Sequence, residues 1–131
     1  MVIDTSALMA ILFDEPEREE FIAAITNARR TVISTGTLIE CSIVVESRRG
    51  EPAGRELDLL LHRAAIDVIP VNHEQAAIAR SAWRLFGKGR HPAGLNYGDL
   101  FAYALAIDTG EGLLFKGNDF SRTDVSSARA Q

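Results

Sequence analysis

Apolar residues fall along this chain in two rhythms: short unbroken runs, and longer stretches with apolar positions every three or four residues. The short runs predict buried strands at Met1–Asp4, Thr31–Ser34, Asp67–Val71 and Leu113–Phe115. Helices are predicted between them. Thr5–Phe13 is a short one, closed by Asp14-Glu15-Pro16, and Glu17–Arg29 carries Phe21, Ile22 and Ile25 on one face. Thr37-Leu38-Ile39-Glu40 has the form of a capping box opening a helix to about Arg49, with Gly50 and Pro52 as its stop. Gly54–Ala65 aligns Leu57, Leu60, Leu61 and Ala64, and Glu74–Phe86 is a further helix. Gly87–Gly94 holds three glycines and a proline in eight residues and reads as a loop. Asn96 caps a last helix that runs through Phe101, Ala104, Leu105 and Ile107 to Gly110. Beyond Asp124 the pattern specifies little.

Strands alternating with helices predict an α/β fold with a mainly parallel sheet. No repeat, low-complexity tract or Pro/Gly/Ser-rich linker divides the chain, so residues 1–131 are expected to form a single domain. A chain of 131 residues buries roughly two thirds of its unfolded surface and needs no disulfide or structural metal to fold. The single cysteine, Cys41, rules out an internal disulfide and fits a reducing cytoplasm. No apolar run approaches the roughly 18 residues of a membrane span, and the N-terminus lacks the character of a secretory signal. A cytoplasmic protein is the expectation.

Charge narrows the chemistry. With 14 basic and 18 acidic residues the net charge is -4, whereas a chain that binds nucleic acid through bulk charge is usually basic. If RNA is the substrate, the cations must be local and something must neutralise the acids.

Four carboxylates stand at informative places. Asp4 ends the first strand, Glu40 lies in the apolar stretch around Ile39 and Cys41, Asp99 opens the last helix, and Asp119 follows the last strand. Each also has a plain structural reading. Asp4 suits a helix cap, Glu40 the return arm of the capping box, Asp99 the helix dipole and Asp119 a turn. Taken together they belong to the carboxyl edge of a parallel sheet, where open α/β sheets bind ligands. Two like charges about 4 Å apart repel by about 1 kcal/mol in water and about 4 kcal/mol at an effective dielectric near 20. Converging acids must therefore hold protons or meet a cation. An all-oxygen set suits Mg2+ or Mn2+, and no Cys/His cluster points to zinc.

Val2-Ile3-Asp4-Thr5-Ser6, then Glu40, Leu95-Asn96-Tyr97-Gly98-Asp99, and Leu113-Leu114 through Asp119-Phe120 resemble the PIN-domain family, and within it VapC-type toxins. The resemblance spans nearly the whole chain. It implies a three-layer α/β/α sandwich whose acids, Asp4, Glu40, Asp99 and Asp119, hold Mg2+ or Mn2+ and hydrolyse RNA phosphodiesters. It further implies a VapB-type antitoxin, a homodimer, and operator DNA bound only through the antitoxin. Family members often carry another acid two residues before the Asp of the Asp-Phe pair; here that residue is Gly117.

Substrate contacts are expected from Thr5 and Ser6 beside Asp4, from Lys88 and Arg90 in the loop, from Asn96, and from Lys116. Asn96 as a helix cap and the loop charges as solvated groups are the plain alternatives. His62 and His73 read as surface or cap residues, and Trp83 as core or subunit interface. Two rivals remain at this level. One is a PIN-like module that binds without cleaving. The other is a phosphorylation-switched receiver, disfavoured because Asp4 is followed by Thr5-Ser6 rather than by a second acid.

Overall fold

The computed structural model describes residues 1–129. In chain order its elements are β1 (Val2–Ile3), α1 (Thr5–Leu12), α2 (Arg18–Asn27), β2 (Thr31–Ser34), α3 (Thr35–Arg49) and α4 (Glu51–Arg63). There follow β3 (Ile66–Ile69), α5 (His73–Phe86), α6 (Tyr97–Thr109), β4 (Leu113–Leu114) and a 3-10 turn at Phe120–Arg122.

Polar side chains start most of these helices. Asp4 caps α1 by accepting from Ser6 N, Ser34 caps α3 through Gly36 N, and Asn72 caps α5 through Gln75 N. Asn96 and Asp99 form a reciprocal capping box at the start of α6. The box expected at Thr37 and Glu40 is not there. Its cap is Ser34, three residues earlier, so Thr37 lies fully buried inside the helix and Glu40 bonds elsewhere. Pro52 likewise opens α4 rather than stopping α3, since its missing N–H costs nothing in a first turn. Gly50, at φ 75°, makes the break between the two helices.

The sheet runs β3-β2-β1-β4 with every pairing parallel; Val2 stands opposite Val32 on one side and Leu113 on the other. The chain lays strands outward from β1 to β3 and then crosses back to place β4 on the far side of β1. That reversal puts a topological switch point between β1 and β4, where such sheets open a crevice at their carboxyl ends.

Neighbouring strand residues face opposite ways. Ile3 and Ile33 pack with Leu8, Phe21 and Leu57 in one core, while Val2 and Val32 pack with Leu95, Leu105 and Phe120 in the other. The result is a three-layer sandwich, α1–α4 on one face of the sheet and α5–α6 on the other. Each fully buried Leu, Ile or Phe contributes about 1.5–3 kcal/mol, so two such cores hold the fold without a crosslink. Cys41 is buried and free.

The tail is better fixed than its pattern suggested. Ser127 bridges to Leu113 beside β4, and Arg129 grips Glu20 with two hydrogen bonds of 3.0 and 2.7 Å. The last positions of the expected domain, 130 and 131, lie outside the described residues. Among the described residues, no helix is long and apolar enough to cross a membrane.

Candidate active site

Three of the four singled-out acids line one cavity of about 360 Å3 at the carboxyl end of the sheet. Asp4 comes directly off β1, Glu40 from the second turn of α3, and Asp99 from the first turn of α6. Thr5, Ser6, Asn96 and Lys116 line it too. Asp119 does not. It is exposed in the loop after β4, although its negative charge still acts on Asp99.

Each acid has one oxygen occupied. Asp4 Oδ2 accepts from Ser6 N at 3.0 Å and Ser6 Oγ at 2.6 Å. Glu40 Oε1 accepts from Thr5 Oγ1 at 2.7 Å, and Asp99 Oδ2 accepts from Asn96 N at 3.0 Å. Asp4 Oδ1 is left buried with no partner at all. A buried, half-satisfied carboxylate is costly unless it is protonated or compensated by a cation.

The electrostatics agree. Burial raises the Asp4 pKa, with the Glu40 charge adding to it against the opposing hydrogen bonds from Ser6. Burial pushes Asp99 up to about 7, and Asp4, Asp119 and Glu40 add to the rise while the Asn96 N–H opposes it. Cys41, behind the site, is pushed up to about 12 by burial and by the charges of Asp4 and Glu40. At that value it is an inert core thiol at neutral pH, not a nucleophile.

All the donors are oxygens, one is orphaned, and their charges repel. That set fits a hard divalent cation. Among the described residues, however, no three acids, histidines or cysteines stand close enough together to grip one ion at once. Mg2+ commonly takes one or two carboxylates and keeps several waters, and that mode suits this spacing.

The expected cations fall differently. Lys116 reaches the cavity, but its ammonium pairs with Glu15 at 3.1 Å and Glu17 at 3.0 Å, and those two acids raise its pKa. Its backbone N–H donates to Ser6 Oγ at 2.9 Å, tying the end of β4 to the residue that holds Asp4. Lys88 lines a separate groove of about 740 Å3 between α5 and α6, with Trp83, Tyr97 and Asn96. Arg90 stacks over Trp83 at 4.3 Å. That groove is larger than the acid cavity but is lined by no carboxylate. Asn96, which lines both, joins them. His62 and His73 are exposed, His73 as the first residue of α5.

Glu15 and Arg48 also line the cavity and were not singled out from sequence. Arg48 is two helical turns beyond Glu40, on the same face of α3, so the eight-residue spacing was a readable signal. Glu15 gave none.

Against known proteins, residues 1–126 match the PIN domain family. Ribonuclease VapC30 of Mycobacterium tuberculosis is 56% identical over 127 residues, covering 97% of each chain. Ribonuclease VapC of Mycolicibacterium smegmatis is also 56% identical, over 97% of this chain and 98% of its own. Among solved structures, the sarcin-ricin-loop-cleaving toxin VapC20 of M. tuberculosis superposes with a TM-score of 0.78 at 17% identity, over 98% of both chains. VapBC2 of Rickettsia felis, solved bound to a DNA fragment from its promoter, does so with a TM-score of 0.73 at 18% identity, over 96% of this chain and 94% of its own.

Proposed function

The chain belongs to the PIN-domain family, as a VapC-type ribonuclease toxin, and on that footing we propose that Asp4, Glu40 and Asp99 form its RNA-cleaving centre with Mg2+ or Mn2+. Asp119, exposed in the loop after β4 and outside the cavity lining, acts as an auxiliary charge on Asp99. The observation that carries this reading is the orphaned Oδ1 of Asp4, buried where two further carboxylates line the same cavity.

The residues divide the work by their contacts. Ser6 fixes one Asp4 oxygen and leaves the other free, so that carboxylate has a single orientation. Thr5 does the same for Glu40, and the Asn96 backbone for Asp99. Such preorganisation lowers the reorganisation needed when charge develops on a phosphate. The chemistry a divalent ion supplies when bound is Lewis acidity, toward an attacking water and toward the phosphate oxygens. It also lets an acidic protein meet an anionic substrate, answering the objection raised by the net charge of -4.

RNA phosphates outside the cavity would meet Lys88 and Arg90, which flank the site through Asn96. The partner of a VapC-type toxin is its antitoxin, here a VapB-type protein that would carry any operator DNA contact. Ile39 and Ile43, each 61% exposed on α3, offer an apolar strip to a partner helix close to the acids. A homodimer is part of the same reading. Trp83 and Tyr97, 44% and 78% exposed beside the larger groove, are available to a second copy.

The test uses purified chain, RNA and Mg2+, with Asp4→Asn and Asp99→Asn alongside. Cleavage is expected from the unaltered protein and lost in both variants. Cleavage that persists unchanged in both would reject the site. Expression should arrest growth, and co-expression of the antitoxin should relieve it.

A further inference from the structure

Glutamate is a poor choice for a fixed ligand unless something holds it, because three side-chain torsions let its carboxylate wander. Here two contacts from different elements close around Glu40. On one side Thr5 Oγ1, buried at the start of α1, donates to Oε1 at 2.7 Å. On the other side Oε2 packs against Gly98 in the first turn of α6, so closely that a Cβ there would overlap it. The same two helices interlock a second time in the reverse sense. Gly36 on α3 leaves the space that the Phe101 ring of α6 occupies.

Glycine weakens a helix relative to alanine, so half-buried Gly36 and buried Gly98 run against local propensity. What they provide is close approach. The helix turn that carries Asp99 also forms the floor under Glu40, and this fixes where one carboxylate lies relative to the other.

We infer that Thr5 and Gly98 are positioning residues that seat the Glu40 carboxylate at the acid cavity, and that the bare Cα at position 98 serves the site rather than the fold. The atom that a new Cβ would meet is the far end of a flexible side chain, so the fold can absorb it by letting Glu40 swing out. The inference rests on the reading of Glu40 as a member of the centre.

The test compares Gly98→Ala, Thr5→Val, Thr5→Ser and Glu40→Gln by thermal unfolding, by calorimetric Mn2+ titration without RNA, and by steady-state RNA cleavage. Gly98→Ala should unfold cooperatively, near the melting temperature of the unaltered protein. Its Mn2+ affinity and kcat should each fall about 10–100-fold, the range for groups that orient a ligand, with KM for RNA little changed. Thr5→Val should follow it, and Thr5→Ser, which keeps the hydroxyl, should retain both properties. Combining Gly98→Ala with Glu40→Gln should be little worse than Glu40→Gln alone, since both remove the same seated carboxylate. Should Gly98→Ala unfold, the Thr5→Val and Thr5→Ser pair decides the matter. Unaltered Mn2+ affinity and kcat in Gly98→Ala and Thr5→Val, with both lost in Glu40→Gln, would overturn the inference and leave the centre intact. Unaltered values in Glu40→Gln itself would remove Glu40 from the centre, which is a failure of the underlying reading instead.

Discussion

Ser6 Oγ lies 2.6 Å from Asp4 Oδ2 while it accepts the Lys116 N–H at 2.9 Å, so one hydroxyl links the carboxylate at the end of β1 to the end of β4. This join sits at the switch point of the sheet, and it makes the position of the central acid depend on the pairing of two strands. A hydroxyl with one proton must give it to the carboxylate here, because the Lys116 amide N–H is itself a donor and cannot accept it.

Replacing Ser6 with alanine removes that proton and leaves the Lys116 N–H without its acceptor. A hydrogen bond to a charged group contributes about 1.5–3 kcal/mol, so cleavage should fall by about 10–100-fold. The Ser6 backbone N–H still holds Oδ2, so Asp4 should stay in place and its residual activity should remain metal-dependent. Single-turnover RNA cleavage across a Mg2+ series checks both points.

Asp99 sets a pH dependence in metal-free protein. Its folded-state pKa is about 7, raised by burial and then by Asp4, Asp119 and Glu40, against an ordinary value of 3.8. A raised carboxyl favours folding when protonated. Its stabilisation is therefore complete below the ordinary value and is lost as pH rises through about 7. The raised pKa of Asp4 acts in the same direction. Glu17 and Glu20, lowered by Lys116 and Arg129, act oppositely, but below their ordinary value of 4.5 and so outside this window. Urea unfolding in chelator should give a lower midpoint at pH 8 than at pH 5.5. Asp99→Asn should flatten that difference, and saturating Mg2+ should restore the midpoint at pH 8.

Lys116 and Lys88 should separate in function. Lys116 is held by Glu15 and Glu17, whereas Lys88 lines the open groove beside the site. Lys116→Met should lower the melting temperature and leave the salt dependence of RNA binding unchanged. Lys88→Ala should leave the melting temperature alone and reduce the salt slope of single-stranded RNA binding by about 0.7. Fluorescence anisotropy across a salt series, beside thermal melts, distinguishes them.

Much of this was readable along the chain, and the failures share a cause. The strands, the acids that follow them and the Asn96 cap are local signals, because each depends on neighbours a few residues away. Glu40 misled because Thr37-x-x-Glu40 is a well-formed local capping pattern. A partner 35 residues distant, Thr5, takes the carboxylate, and Ser34 takes the cap. Lys116 looked free for the same reason, since Glu15 lies 101 residues away. Gly36 carried no positive signal, and Gly98 stood out only as part of the motif that ends in Asp99, with nothing to show what its bare Cα is for. A glycine that matters by the space it leaves shows its value only once another helix fills that space.

Asp4, Glu40 and Asp99 are proposed to bind one kind of ligand, a hard divalent cation, and calorimetric titration of Mn2+ into metal-free protein tests this without RNA. Saturable binding is expected, weakening at least about tenfold in Asp4→Asn and in Asp99→Asn, where a charged ligand is removed. No binding to the unaltered protein, or equal affinity in all three, would contradict it.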